Sequence, residues 1–202
     1  KVVVAAGQIP VAQEHDADHG TVKQQLFFAH SGIQCGLGTL LLIDVVHEME
    51  TDDAADVISE LPVEDAKQVL DGIDKHESIA VQKLLVFPED TAGGKMQAEL
   101  ASVHETATVQ EAIEEVRRKA HEIDNISNVF VVDREGRFSG AVPLDKLILA
   151  YPETPIISIT NRDTLTVRTD MDQEEVAKLF QKYDLISVPV VDHDGRLVGR
   201  IT

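Results

Sequence analysis

Residues 130–142, Phe-Val-Val-Asp-Arg-Glu-Gly-Arg-Phe-Ser-Gly-Ala-Val, recur as residues 189–201, Pro-Val-Val-Asp-His-Asp-Gly-Arg-Leu-Val-Gly-Arg-Ile, at a constant offset of 59. A chain that repeats a stretch this specific folds one unit twice. Each copy reads as a hairpin. Val131 and Val132, like Val190 and Val191, form an apolar run. Asp133 to Gly136, like Asp192 to Gly195, supplies the Asp and Gly that a tight turn needs, and the second strand returns antiparallel. Upstream of each hairpin lies an amphipathic helix, with Val109, Ala112, Ile113, Val116 and Ala120 on its apolar face in copy one and Val176, Leu179, Phe180 and Tyr183 in copy two. Thr108 and Asp172 stand where N-caps belong. The helices are offset by 64 rather than 59, so copy one carries five extra residues near Lys119 to Asn125.

A second, shorter repeat precedes these modules. Met49 to Ala54 sets over Leu61 to Ala66, and Val57-Ile58 over Val69-Leu70, at a period of 12. Fainter copies put Leu37, Val45 and Val46 before it, and Ser78, Val81 and Leu85 after it, in the same columns. Each unit predicts a short helix whose first turn holds acids, Asp52-Asp53 or Glu64-Asp65, where the macrodipole favours negative charge. Helices of two or three turns are unstable alone, so they must stack into a small helical solenoid. The expected organisation is therefore α+β: an uncertain segment 1–46, an all-α helical domain 47–91, a first β-α-β-β-α module 92–152, and a second, 153–202, ending before its last helix. Gly93-Gly94 marks the boundary between helices and modules.

Charge narrows the function classes. The 202 residues carry 36 acids against 18 bases, a net charge of −18, which disfavours a polyanionic partner such as nucleic acid. Residues 47–91 hold 13 of those acids and 3 bases, so a cation site is expected to involve them. One cysteine, Cys35, can form neither an internal disulfide nor a thiolate cage, and points to a reducing compartment. The longest apolar run, Leu40 to Val46, is interrupted by Asp44 and is far shorter than the roughly 20 residues that cross a bilayer. Lys1 to Ala6 breaks at Gly7 and is not expected to target the chain. His15 and His19 have a spacing that binds zinc on a helix, but Gly20 and the surrounding acids favour a loop. No nucleophile–base signature, glycine-rich phosphate loop or His-Glu-x-x-His motif occurs, and the chain is not expected to be an enzyme.

The tandem modules ending in Val-Val-Asp-x-x-Gly-Arg-x-x-Gly resemble a CBS domain pair. Together with Thr51 to Asp56, Glu89 to Met96 and Asp172 to Ala177, the stretch from about residue 47 to 202 resembles the cytosolic part of MgtE-type magnesium transporters and channels. The resemblance implies an Mg2+-sensing region on the cytoplasmic face of the inner membrane. It implies a homodimer through the CBS pair and a plug helix and transmembrane pore domain later in the same chain.

Mg2+ takes oxygen ligands and keeps several waters, so one or two carboxylates per surface suffice. Asp52 and Asp56 are four apart on one predicted helical face, where a divalent cation would relieve their repulsion. The resemblance implies that these two and the backbone at Gly94 bind Mg2+; the plain alternative is a solvated acidic helix start. In the second module it implies Asp172, Glu174 and Asp184, although Asp172 also suits an N-cap and Asp184 a helix-end turn.

CBS pairs often bind adenine nucleotides, through an Asp on the ribose and residues facing the adenine. Lys146, Asn128 and Leu185 stand at those positions here and Asp145 is one residue away, so ATP is disfavoured rather than excluded. The rival reading is a free-standing CBS regulator answering to an adenine nucleotide.

Overall fold

The computed structural model describes residues 37–123 and 125–202. His15, His19 and Cys35 lie outside the described residues. The chain divides into two units, 1–42 and 43–202, and the architecture below is that of the second, which helix α1 (Leu37–His47) enters.

Three short helices follow at the expected period. α2 (Thr51–Ser59), α3 (Val63–Gly72) and α4 (Lys75–Leu84) begin twelve residues apart. Their starts are built differently. The residues before α2 and α3, Glu50 and Pro62, make no side-chain cap bond, which leaves the acids of the first turn to oppose the macrodipole. Asp74, in contrast, caps α4 by accepting from the His76 N–H at 2.8 Å. Val57, Val69 and Val81, one column of the repeat, are all buried, as are Ala54 and Ser78 of another. Gly72 lets α1 and α3 approach closely, since a Cβ there would meet the Ile43 Cδ1 at 2.3 Å.

Each module is a three-stranded sheet with one crossover helix. In the first, β1 (Ser102–His104) runs parallel to β2 (Asn128–Val132), which pairs antiparallel with β3 (Phe138–Pro143), and α5 (Val109–Lys119) connects β1 to β2. In the second, β4 (Val167–Arg168), α7 (Gln173–Tyr183), β5 (Val188–Val191) and β6 (Leu197–Ile201) repeat that order. The two copies match in detail. Both carry a register shift at the same point, between Val131 and Val132 and between Val190 and Val191. Both turns have a left-handed glycine, Gly136 at φ 78° and Gly195 at φ 77°. The Asp that opens each turn accepts two backbone N–H groups: Asp133 from Glu135 and Arg137, Asp192 from Asp194 and Arg196.

Helix α5 opens with a full capping box between Thr108 and Glu111, and Asp172 caps α7 by accepting from the Glu174 N–H at 2.7 Å. The core of the first module joins Val109 and Ala112 of α5, Val129 and Val131 of β2, Val142 of β3 and Leu147 of α6 (Leu144–Leu149).

The modules also exchange backbone pairing. Gln97, in the lead-in to the first module, bridges Arg200 on β6, and Asn161, in the lead-in to the second, bridges Ala141 on β3. The two turns meet as well, through Phe138 N–H to the Gly195 carbonyl and Leu197 N–H to the Gly136 carbonyl. The architecture is α+β, four helices followed by the paired modules.

Candidate cation site

Helix α2 lies against the stretch that leads into the first module, and its acidic start forms the contact. Thr51 is 3% exposed. Rather than capping its own helix, its hydroxyl donates to Glu99 Oε2 at 2.8 Å and accepts from the Ala98 N–H at 3.0 Å. Gln97 donates to Glu50 Oε2 at 2.5 Å. At the other end of α2, the Ser59 hydroxyl donates to Glu89 Oε1 at 2.8 Å.

Asp52 is the unusual group of this surface. Its Oδ1 is buried with no hydrogen-bond partner. Burial, then the neighbouring Asp53 and Glu50 carboxylates, push its pKa from 3.8 up to about 6, against the opposing effect of the backbone N–H groups of Asp52 and Asp53. An orphaned carboxylate oxygen held among other carboxylates suits a hard cation, and the donors here are all oxygen.

Asp56 is situated differently. The Lys95 ammonium stands 2.6 Å from its Oδ2, with both side chains more than a third exposed. The simple expectation of two carboxylates repelling each other along one helix face is therefore corrected: Asp53 and Glu50 bear on Asp52, and Asp56 has its own counter-ion. Lys95 is a participant that the sequence reading missed. The signal for it was available, because Lys95 is the only Lys or Arg between Lys83 and Arg117.

Gly94 sits in the turn that follows Pro88, where a Cβ would lie 2.4 Å from the Pro88 carbonyl oxygen, so the tight turn itself requires glycine. This turn joins the start of α7: Ala92 N–H donates to the Met171 carbonyl and Gln173 N–H to the Asp90 carbonyl, and Thr91 bridges Asp172. Asp172 and Glu174 are thus brought beside the turn that carries Gly94 and Lys95. Both are exposed, Asp172 as the helix cap and Glu174 at 4.0 Å from Lys178. Asp184 is not brought there. It is the C-cap at the far end of the 11-residue α7, in left-handed conformation at φ 50°, about 16 Å along the helix, and cannot share an ion with Asp172 or Glu174. Among the described residues no three His, Cys, Asp or Glu side chains converge into a metal cage, so a cation held here would keep water in its shell.

A groove of about 430 Å3 opens beside this surface, lined by Ala92, Lys95, Val176, Phe180 and Ile201. Its floor has a counterpart in the first module. Val176 and Ile201 correspond to Ala112 and Val142, which share a core with Leu147 of α6. The positions read as a nucleotide pocket lie apart in sequence: Asn128 opens β2 and is half-buried, Lys146 is exposed on α6, and Leu185 follows α7. Among the described residues no helix is long and apolar enough to cross a membrane.

Comparison with known proteins gives a consistent picture. The model of the MgtE intracellular N domain matches residues 37–90, and that of the CBS domain matches residues 93–153 and 156–202. The magnesium transporter MgtE of Thermus thermophilus is 40% identical over 150 residues, which are 74% of this chain and 33% of that protein. The magnesium transporter MgtE of Bacillus subtilis is 32% identical over 157 residues, 78% of this chain and 35% of that protein. The chain thus spans about a third of the length of these curated relatives. Among solved structures, the cytosolic domain of the Mg2+ channel MgtE in complex with ATP aligns with TM-score 0.74 at 39% identity, covering 80% of this chain and 66% of that one. The soluble part of a magnesium transporter aligns with TM-score 0.73 at 32% identity, covering 79% and 62%.

Proposed function

Because the chain belongs to the MgtE family, an MgtE intracellular N domain followed by a CBS domain pair, we propose that it is the Mg2+-sensing regulatory region of a magnesium transporter or channel. Neither matched family is an enzyme family, and no catalytic role is assigned. The observation that supports sensing is the Asp52 oxygen, buried without a partner where α2 meets the lead-in to the CBS pair. Mg2+ at Asp52 and Asp56, with the backbone at Gly94, offsets the negative charge of the helical domain and favours the docked form. Asp172 and Glu174 extend the same acidic surface, and Asp184 serves a separate ion. A ligand biases such an equilibrium only by its differential affinity for the two forms, and in this reading the docked form supplies it by setting the turn of Gly94 and Lys95 against Asp56 on α2.

In this reading the region lies on the cytoplasmic face of the membrane and forms a homodimer through its CBS pair. The pore domain belongs to the same longer chain. The groove over Val176 and Ile201 takes that chain's plug helix, as α6 covers the matching surface in the first module. Recordings of the full-length protein test the role in gating. Replacing Asp52 and Asp56 together by Asn raises the cytosolic Mg2+ needed for closure, because a short-range carboxylate contact is less screened than repulsion between separated surfaces, which decays over about 8 Å. An unchanged midpoint returns both residues to a solvated helix start.

ATP is the ligand that the relative's crystal structure contains. In this chain Lys146 occupies the ribose-holding position, and nucleotide binding is proposed to be weak.

A further inference from the structure

The 2.6 Å contact between Lys95 Nζ and Asp56 Oδ2 spans the boundary between the helical domain and the CBS pair. The backbone that carries Lys95 is firmly held. Lys95 N–H and Gly94 N–H both donate to the Thr91 carbonyl, and Ala92 and Met96 on either side are 0% and 2% exposed. The ammonium is thereby presented to Asp56 from a hydrogen-bonded turn, while the Asp52 oxygen four residues away has no partner. We propose that Lys95 is a tethered cation that a divalent ion must displace from Asp56, and that it sets the Mg2+ concentration at which this surface fills. The proposal rests on the reading of Asp52 and Asp56 as Mg2+ carboxylates.

Magnitudes favour competition over a structural role. An ion pair with both partners this exposed adds little to folding. As a competitor it matters more, because a short tether holds a group near its target at an effective concentration on the order of millimolar or above. A free dication therefore takes the site only when its concentration, weighted by its own affinity for the carboxylate, exceeds that of the tethered ammonium. The two cannot share one carboxylate oxygen, since ammonium and Mg2+ repel at contact distance. The four-carbon lysine stem lets the ammonium swing out into solvent without moving the turn, so displacement has a low conformational cost.

The test is an isothermal calorimetric titration of the 202-residue chain with MgCl2 at constant ionic strength, using wild type, Lys95→Met, Lys95→Arg and Lys83→Met. Lys95→Met keeps the stem and removes the charge, and is expected to lower the Mg2+ midpoint about two- to fivefold, the range an exposed ion pair is worth. Lys95→Arg keeps the competing charge and is expected to stay near wild type. Lys83→Met removes an equal charge elsewhere on the helical domain, from α4, and is expected to shift the midpoint by less than Lys95→Met. A Lys95→Met midpoint that matches wild type, or moves no further than Lys83→Met, overturns the proposal and leaves Mg2+ sensing intact. If neither wild type nor Lys95→Met gives heat beyond a NaCl control, the sensing reading and the proposal fall together.

Discussion

Gly140 and Gly199, 59 residues apart, each stand where the other module's lead-in crosses the third strand. A Cβ on Gly140 would lie 2.5 Å from the Asn161 carbonyl oxygen, and one on Gly199 would lie 2.8 Å from the Gln97 carbonyl oxygen. The repeat therefore conserves, within one chain, the space through which the two modules exchange backbone pairing. Gly140 also has φ 150°, a conformation that L side chains rarely adopt. Gly140→Ala is expected to cost about 3 kcal/mol in urea denaturation, and Gly199→Ala about half of that, because there only the crowding acts. Equal small losses at both sites would show that the lead-ins shift freely.

The Thr51 hydroxyl gives the second prediction. Thr51→Val keeps the shape but leaves the Ala98 N–H and the Glu99 carboxylate without this partner at a buried position, and should cost about 1–3 kcal/mol. Thr51→Ser should recover most of it. Amide hydrogen exchange at Ala98 should accelerate in the Val variant; exchange as slow as in wild type would mean that α2 is held by other contacts.

Much of this architecture was legible in the sequence. The offset of 59 foretold two matching hairpins, the period of 12 foretold three short helices, and Thr108 and Asp172 do cap α5 and α7. These are local features, set by turn chemistry and by the spacing of apolar residues. The contacts that distinguish the candidate site are not local. Lys95 reaches back 39 residues to Asp56, and Thr51 is spent on residues 98 and 99 rather than on its own helix. Periodicity says which face of α2 is apolar but not which loop will lie across its start, so the burial of Asp52 could not be read from spacing.

That burial predicts a pH dependence. A carboxyl whose folded-state pKa lies above its unfolded value binds its proton more tightly when folded. The resulting stability is greatest at low pH and is lost as pH rises from 3.8 through about 6. In the absence of divalent cations, the wild type should therefore lose roughly 1–3 kcal/mol through Asp52 over that window, less where solvent reaches the group. Asp52→Asn should flatten this component and be the more stable protein at pH 7. Parallel denaturant titrations from pH 4 to pH 7 check it, and identical slopes would show that Asp52 is solvated.

Nucleotide binding is a separate question from Mg2+ binding. Under the proposed assignment, Lys146 stands in place of an acid and Asn128 and Leu185 stand at the adenine-facing positions, so calorimetry should show little ATP binding. Lys146→Asp should tighten it. Tight stoichiometric binding by the wild type would favour a nucleotide-answering regulator and would place the ribose contact on Asp145.

Small-angle X-ray scattering of the chain across an MgCl2 titration tests the central claim most directly, with NaCl at matched ionic strength as the reference. If Mg2+ joins the acidic start of α2 to the CBS pair, the radius of gyration falls over a millimolar range of MgCl2 and stays nearly constant in NaCl, and the Asp52→Asn, Asp56→Asn double variant responds to MgCl2 as the wild type does to NaCl. Equal compaction by both salts would show that general screening acts on the net charge of −18, and would contradict Mg2+ sensing at these residues.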